Sequence, residues 1–404
     1  MSTLAVRGIG ELCTCDPERG PAPGVIRDAA VIAEDGVITY AGEEASLTRE
    51  QLETVDEEVI CNGAAVLPGF VDAHSHAVWL GDRGAEYERR AAGASYEEIA
   101  AAGGGIRATV RATAAGGLEE LVAAARPRVR AMLAHGTTTV EIKSGYGMEH
   151  DAEMRQLDAA LALRADPDTP DVVATYLPLH APPDGDRADY IAGVCADGLP
   201  AAATRARFVD AFCDEGAFTV EECERLFTAA AAHGLRPKLH AEQRSHSGAA
   251  LLAARSRAVS ADHLEHADDA DLRALAAGGV ACVILPGASL VLGGPPPPGR
   301  RILDARASLA IATDCNPGTC FSESMPLMLS LAVALAGVAP GEALVAGTRG
   351  GAAALGLGDR GVIRVGARCD LVVLNSSHWV DVAYHLGGDV VSRVILAGRV
   401  VHGA

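Results

Sequence analysis

Two histidines one residue apart, His74 and His76, close the segment Leu67-Pro68-Gly69-Phe70-Val71-Asp72-Ala73-His74-Ser75-His76. Alternate side chains of a strand share a face, so both imidazoles project to one side. Two imidazoles on one face are a natural start for a zinc or iron site. Alone, such a pair is as often structural as functional, and it needs company. The company stands at the ends of other apolar runs: His240 after residues 235–239, His263 after 258–262, and Asp314 after 309–313, just before the turn-rich Asn316-Pro317-Gly318. Polar, metal-ligating residues at the ends of several strands are what catalysis at the mouth of a barrel requires.

The elements that must position these residues follow from the alternation of the chain. Between about residues 67 and 355, short apolar runs alternate with alanine-rich helical stretches. A helical pattern over 118–135, which Pro127 should kink or break, precedes a strand over 136–142. Similar pairs are 220–233 with 237–240, and 302–307 with 310–314. Strands alternating with helices over this length predict an α/β protein with a (β/α)8 TIM-like barrel. The two ends differ. Val31, Ile32, Val37, Ile38 and Tyr40 flank the turn signal Asp35-Gly36, so residues 25–42 read as a hairpin. Residues 361–374 and 390–401 are also strand-rich. The expected organisation is a small β-sandwich domain formed by both termini (1–66 and 356–404) beside a barrel of residues 67–355.

Composition narrows the partners. The chain has 404 residues, 49% of them hydrophobic, enough to bury a large core. A net charge of -19 with no Lys/Arg cluster argues against nucleic acid as a partner. An anionic substrate would have to be drawn in by local positive charge. No uncharged apolar stretch reaches the length of a membrane span, and the N-terminus lacks the pattern of a signal peptide. The ten cysteines are scattered, which reads as free thiols in a reducing compartment. A cytoplasmic enzyme of small-molecule chemistry is the expectation.

Taken together, Pro-Gly-Phe-Val-Asp-x-His-x-His, the single histidines 240 and 263, Asp314, and Gly-x-Ile-x-x-Gly-x-x-x-Asp-Leu-Val-Val over 361–373 make the chain resemble the amidohydrolase superfamily. More specific marks are Gly81-Asp82-Arg83, Ala102-Gly103-Gly104-Gly105-Ile106, Lys143-Ser144-Gly145-Tyr146-Gly147, Ser260-Ala261-Asp262-His263-Leu264 and Thr313-Asp314-Cys315-Asn316-Pro317-Gly318. They are similar to the branch that opens the imidazolone ring in histidine catabolism. That resemblance implies one divalent ion, zinc or iron, held by His74, His76, His240 and Asp314. It implies metal-activated water hydrolysing the cyclic amide C–N bond of 4-imidazolone-5-propanoate, with N-formimidoyl-L-glutamate as product. Asp314 would take the water's proton, and His263 would polarise the carbonyl or act as acid/base. Gln243 would join in both catalysis and substrate binding. Arg83 would anchor the carboxylate tail. Tyr96 and Tyr146 would add hydroxyls, His180 would bind the ring side, and Asn316, Gly318 and Thr319 would complete the substrate set. The resemblance also implies a homodimer. Lys143 reads as structural rather than as a carbamylated ligand of a second metal, and the runs 103–105 and 295–298 read as loops over the mouth.

Several positions depart from the pattern. Gln243 stands where deaminase relatives carry a catalytic glutamate, and a glutamine cannot act as a base. Glu242 could replace it only if the chain left its strand in an unusual direction. Trp79, Leu80, Ala114, Pro178 and Leu179 are also atypical, and all lie close in sequence to expected pocket segments. The competing readings are another cyclic amide or amidine hydrolase, a heterocycle deaminase, and a non-catalytic binding homologue. The last should have lost ligands, and none is lost.

Overall fold

The computed structural model describes residues 2–94, 98 and 102–403. Its central sheet has eight parallel strands: β1 (Phe70–Asp72), β2 (Thr137–Lys143), β3 (Asp171–Leu179), β4 (Phe208–Cys213), β5 (Leu239–Ala241), β6 (Ser260–His263), β7 (Ala281–Ile284) and β8 (Ser308–Ile311). Each pairs with the next in sequence, which requires a crossover between them. A short extension, Arg236–Pro237, runs along β4 before β5 begins.

The sheet closes on itself between β1 and β8. Ser75 bridges Cys315, Asp314 N donates to His74 O at 3.0 Å, and His76 N donates to Cys315 O at 3.0 Å. Just below, the Asp72 carboxylate accepts from Thr313 N (3.0 Å) and Thr313 Oγ1 (2.6 Å). The result is a closed (β/α)8 barrel whose seam lies among the suspected ligands.

The crossover helix Leu118–Ala134 buries Leu121, Ala125, Val129, Met132 and Leu133, a stripe at helical spacing. It runs unbroken through Pro127, so the expected break does not occur. The proline removes one backbone hydrogen bond, and the packed stripe on both sides of it outweighs that loss. The helix Val220–Ala231 starts at a Thr219/Glu222 capping box.

The strands of both chain ends form a second, eight-stranded mixed sheet with its own core, which includes Leu4, Val6, Ile9, Val66, Leu371 and Ile395. Val25–Glu34 and Val37–Glu43 form the predicted hairpin, with Asp35 and Gly36 both left-handed at its turn (φ 47° and 80°). Ala65–Pro68 belongs to this sheet and pairs with Leu371–Leu374, so that strand spans the expected division at residue 66/67. Asp171, at the foot of β3, is paired with Arg360 and Arg368 from the C-terminal segment. All ten cysteines are free, and no helix among the described residues is long and apolar enough to cross a membrane.

Candidate active site

The upper ends of β1, β5, β6 and β8 bring His74, His76, His240, His263 and Asp314 together. Regular pairing of β1 stops at Asp72, but the extended chain continues through Ser75, which keeps His74 and His76 on one face. Their Nε2 atoms lie 3.6 and 3.7 Å from Asp314 Oδ1. The rings of His74 and His240 are 4.5 Å apart, and those of His240 and His263 are 5.3 Å apart. His74 Nε2, His76 Nδ1, both ring nitrogens of His240 and His263 Nδ1 are buried without a hydrogen-bond partner. Buried polar atoms are rarely left so, and His74, His76 and Asp314 offer ligand atoms within 4.8 Å of one another, as do His74, His240 and His263, a grouping that suits a cation. Burial, reinforced by neighbouring cationic groups, holds His74, His76 and His263 well below the usual imidazole range, so they stay neutral, the form that ligates a metal. Burial pushes Asp314 up to about 7. Asp314 (φ 50°) and His263 (φ 81°) both occupy the left-handed region, strain typical of functional positions.

Beneath the histidines lies a layer of fully buried charge. Asp262 Oδ2 meets His74 Nδ1 at 2.6 Å. Asp210 Oδ2 lies 3.1 Å from His240 Nδ1, off the line of a hydrogen bond. Lys143 Nζ joins the two, 2.7 Å from Asp210 and 3.5 Å from Asp262, and also sits 3.0 Å from Glu141. Glu141 in turn pairs with Lys238 at 2.9 Å. Burial alone would depress the Lys143 ammonium, but the three carboxylates outweigh it and hold the group charged. A charged amine on β2, locked among carboxylates, fits the structural reading of Lys143. Sequence reasoning assigned no role to Asp210, Asp262, Glu141 or Lys238. The signal was there: charged residues inside apolar strands must be buried, and buried charges must pair.

Above the cluster opens a cavity of about 1180 Å³. Arg83, Tyr146, His180, Gln243, Asn316, Gly318 and Thr319 all line it, whereas Tyr96 lies outside the described residues. Arg83 is held by Glu86, with nitrogen–oxygen distances of 2.7 and 2.8 Å. A side chain at 318 would meet Arg83 Nη1 at 2.5 Å, so glycine there clears its path. His180 stacks on His76 (4.9 Å, 12°) and hydrogen-bonds Gly145 O at 3.0 Å. Gly145 has φ 113°, and a Cβ there would meet His180 Nδ1 at 2.7 Å, which explains the first glycine of Lys-Ser-Gly-Tyr-Gly.

Not every expected substrate contact is free to make one. The Asn316 amide donates to Asp314 O (2.6 Å) and Thr319 Oγ1 (2.7 Å) and accepts from Gly318 N and Thr319 N, so it shapes its own loop. Thr319 Oγ1 donates to Asp314 Oδ2 at 3.2 Å. Glu242, with φ 53°, turns away from the cavity and accepts from Ser247 N (2.5 Å) and Ala250 N (3.0 Å) at the start of the helix Ala249–Arg255. It therefore cannot stand in for Gln243. Of the five atypical residues, Trp79 lines the cavity and Leu80, Ala114, Pro178 and Leu179 do not. Arg128 stacks 3.4 Å over Trp79 and donates to Ala77 O and Trp79 O, bracing the loop after His76. Among the described lining residues, Arg83, Arg90, Arg128 and Arg244 face Asp82, Glu86, Glu265 and Asp314, so a divalent cation would make the cavity net positive inside an acidic protein.

A profile of the amidohydrolase family matches residues 65–401. The chain is 47% identical to the imidazolonepropionase of Deinococcus radiodurans, covering 98% of this chain and 99% of that one. It is 46% identical to the imidazolonepropionase of Deinococcus deserti, again over 98% and 99%. Among solved structures it is similar to a zinc-bound adenosine deaminase from Xanthomonas campestris (TM-score 0.75, 21% identity, 99% and 92% covered). Another is the N-isopropylammelide isopropylaminohydrolase of Burkholderia multivorans (TM-score 0.71, 20% identity, 100% and 98% covered). At such identities these two speak for the fold alone. The chain belongs to the amidohydrolase family, among its imidazolonepropionases.

Proposed function

We propose that this chain hydrolyses 4-imidazolone-5-propanoate to N-formimidoyl-L-glutamate, with one divalent ion, zinc or iron, held by His74, His76, His240 and Asp314. The observation that carries the reading is the convergence of partnerless imidazole nitrogens and Asp314 at the floor of a cavity that also holds Arg83. A cation held there by these residues would supply Lewis-acid polarisation of a carbonyl and a lowered pKa for bound water. Arg83 receives the propionate tail by exchanging Glu86 for the substrate's carboxylate. The ring then lies toward His180 and Tyr146, with its carbonyl over the histidines. Asp314 accepts the proton of the attacking water, held in place by Thr319. As the ring C–N bond breaks, the proton taken up by Asp314 would pass through the Nε2 lone pair of His263 to the departing nitrogen. Gln243 offers a hydrogen bond to the ring and no base, and Glu242 is already engaged, so deamination finds no carboxylate where it would need one.

The reading extends to a cytoplasmic homodimer, supported by the free cysteines and by the family for the dimer; sedimentation of the purified protein tests the latter. The deciding experiment mixes zinc- or iron-loaded protein with 4-imidazolone-5-propanoate and follows N-formimidoyl-glutamate by mass. Metal-dependent appearance of that product is expected. Its absence with a fully loaded site would sink the substrate assignment.

A further inference from the structure

Beside His263 the pocket holds a carboxyl group that no step above uses. Glu265 lies just past His263 and Leu264, two consecutive left-handed residues (φ 81° and 71°). The Glu265 side chain is 4% exposed, and its Oε1 accepts from Ser289 Oγ at 2.6 Å, from the helix Pro286–Leu292. Its Oε2 is buried without a partner, 3.9 Å from His263 Nδ1, which is also buried without one. Two facing orphans, a nitrogen able to carry a proton and an oxygen able to accept it, are each destabilising alone and satisfied together.

We propose that Glu265 is a positioning residue for His263: anchored by Ser289, its Oε2 accepts a hydrogen bond from His263 Nδ1–H in the working enzyme. A carboxylate at one ring nitrogen selects the tautomer and fixes the ring plane. Nε2 then keeps its lone pair for the cavity. Closing the remaining gap takes a side-chain adjustment of about 1 Å, the kind of tightening that substrate binding commonly brings. The inference deepens the imidazolone-hydrolase reading and rests on it for the acid–base duty of His263.

The test compares the metal-loaded wild type with Glu265→Gln, Glu265→Asp and Ser289→Ala. Loss of the carboxylate in Glu265→Gln is expected to lower kcat roughly tenfold or more while KM stays within about twofold. Bound metal should be unchanged, Glu265→Asp should recover part of the rate, and Ser289→Ala should fall between. Histidine-labelled NMR of the zinc-loaded protein should show His263 protonated on Nδ1, and Glu265→Gln should shift that signal. An unchanged kcat in Glu265→Gln, or a fall matched by lost metal or lost folding, would overturn the inference. So would a His263 protonated on Nε2 in the wild type. If the wild type itself fails to turn over the imidazolone, the functional reading falls, and the His263 tautomer alone decides this proposal.

Discussion

The floor of the site and its mouth are built on opposite plans. On the floor, His74 and His240 rest on Asp262 and Asp210, and these carboxylates share Lys143 in a layer closed to water. At the mouth, Arg83 is tied among the described residues to Glu86 alone, and Tyr87 and Phe321 stand largely exposed among the lining residues. Charges buried without solvent can keep only one arrangement, because every alternative leaves a group uncompensated. Charges near water can exchange partners at little cost. The difference assigns precision to the part that would hold the ion and adaptability to the part that would admit the substrate.

The comparison can be broken first at the ligands themselves. Asp314→Asn or His240→Ala should lower kcat/KM by about a thousandfold, equivalent to several kcal/mol of lost transition-state stabilisation. Elemental analysis should show the ion lost in parallel. One layer down, Lys143→Met leaves Asp210, Glu141 and Asp262 without their shared partner, and a destabilisation of about 3–5 kcal/mol is expected from thermal or urea unfolding. A variant as stable as the wild type would contradict the view of the floor as an interdependent layer. At the mouth, Arg83→Ala should leave Tm unchanged but reduce kcat/KM roughly tenfold to a hundredfold, through KM. An imidazolone without the carboxylate tail should be indifferent to the change.

A contact outside both regions gives the smallest effect. Asp171→Asn should cost about 1–2 kcal/mol by loosening the link to Arg360 and Arg368. Burial opposes ionisation of Asp171, but the arginines outweigh it and hold its carboxyl below the usual range. Its contribution is therefore complete above the unfolded-state pKa and fades as pH falls through the lower folded value. The Tm gap between wild type and variant should be full near neutrality and close in acid.

Much of the floor's upper surface was legible in the sequence, because a ligand at the end of an apolar run marks both a strand and the direction in which it opens. His74, His76, His240, His263 and Asp314 all announce themselves that way. The layer beneath does not, since Lys143 and Asp210 are partners only in three dimensions. Nothing in either strand names the other. The direction of Glu242 was equally hidden, because it depends on one left-handed residue followed by a helix start that satisfies the carboxylate. Asn316, expected at the substrate from the family resemblance, lines the cavity while its amide bonds within its own loop. Pro127 warned of a break that packing on the barrel overrides.

The closure of the barrel between β1 and β8 carries a further consequence. Asp72 and Thr313, which meet there, are 241 residues apart in the chain. A cation shared by His74, His76 and Asp314 would fasten the opening and final turns of the cylinder like a clasp. Binding that demands the finished cylinder favours it over every open form in proportion to ion concentration. Metal retention thus doubles as a gauge of completed folding, and a chain stopped before β8 would keep its histidine pair yet have nothing to fasten it to.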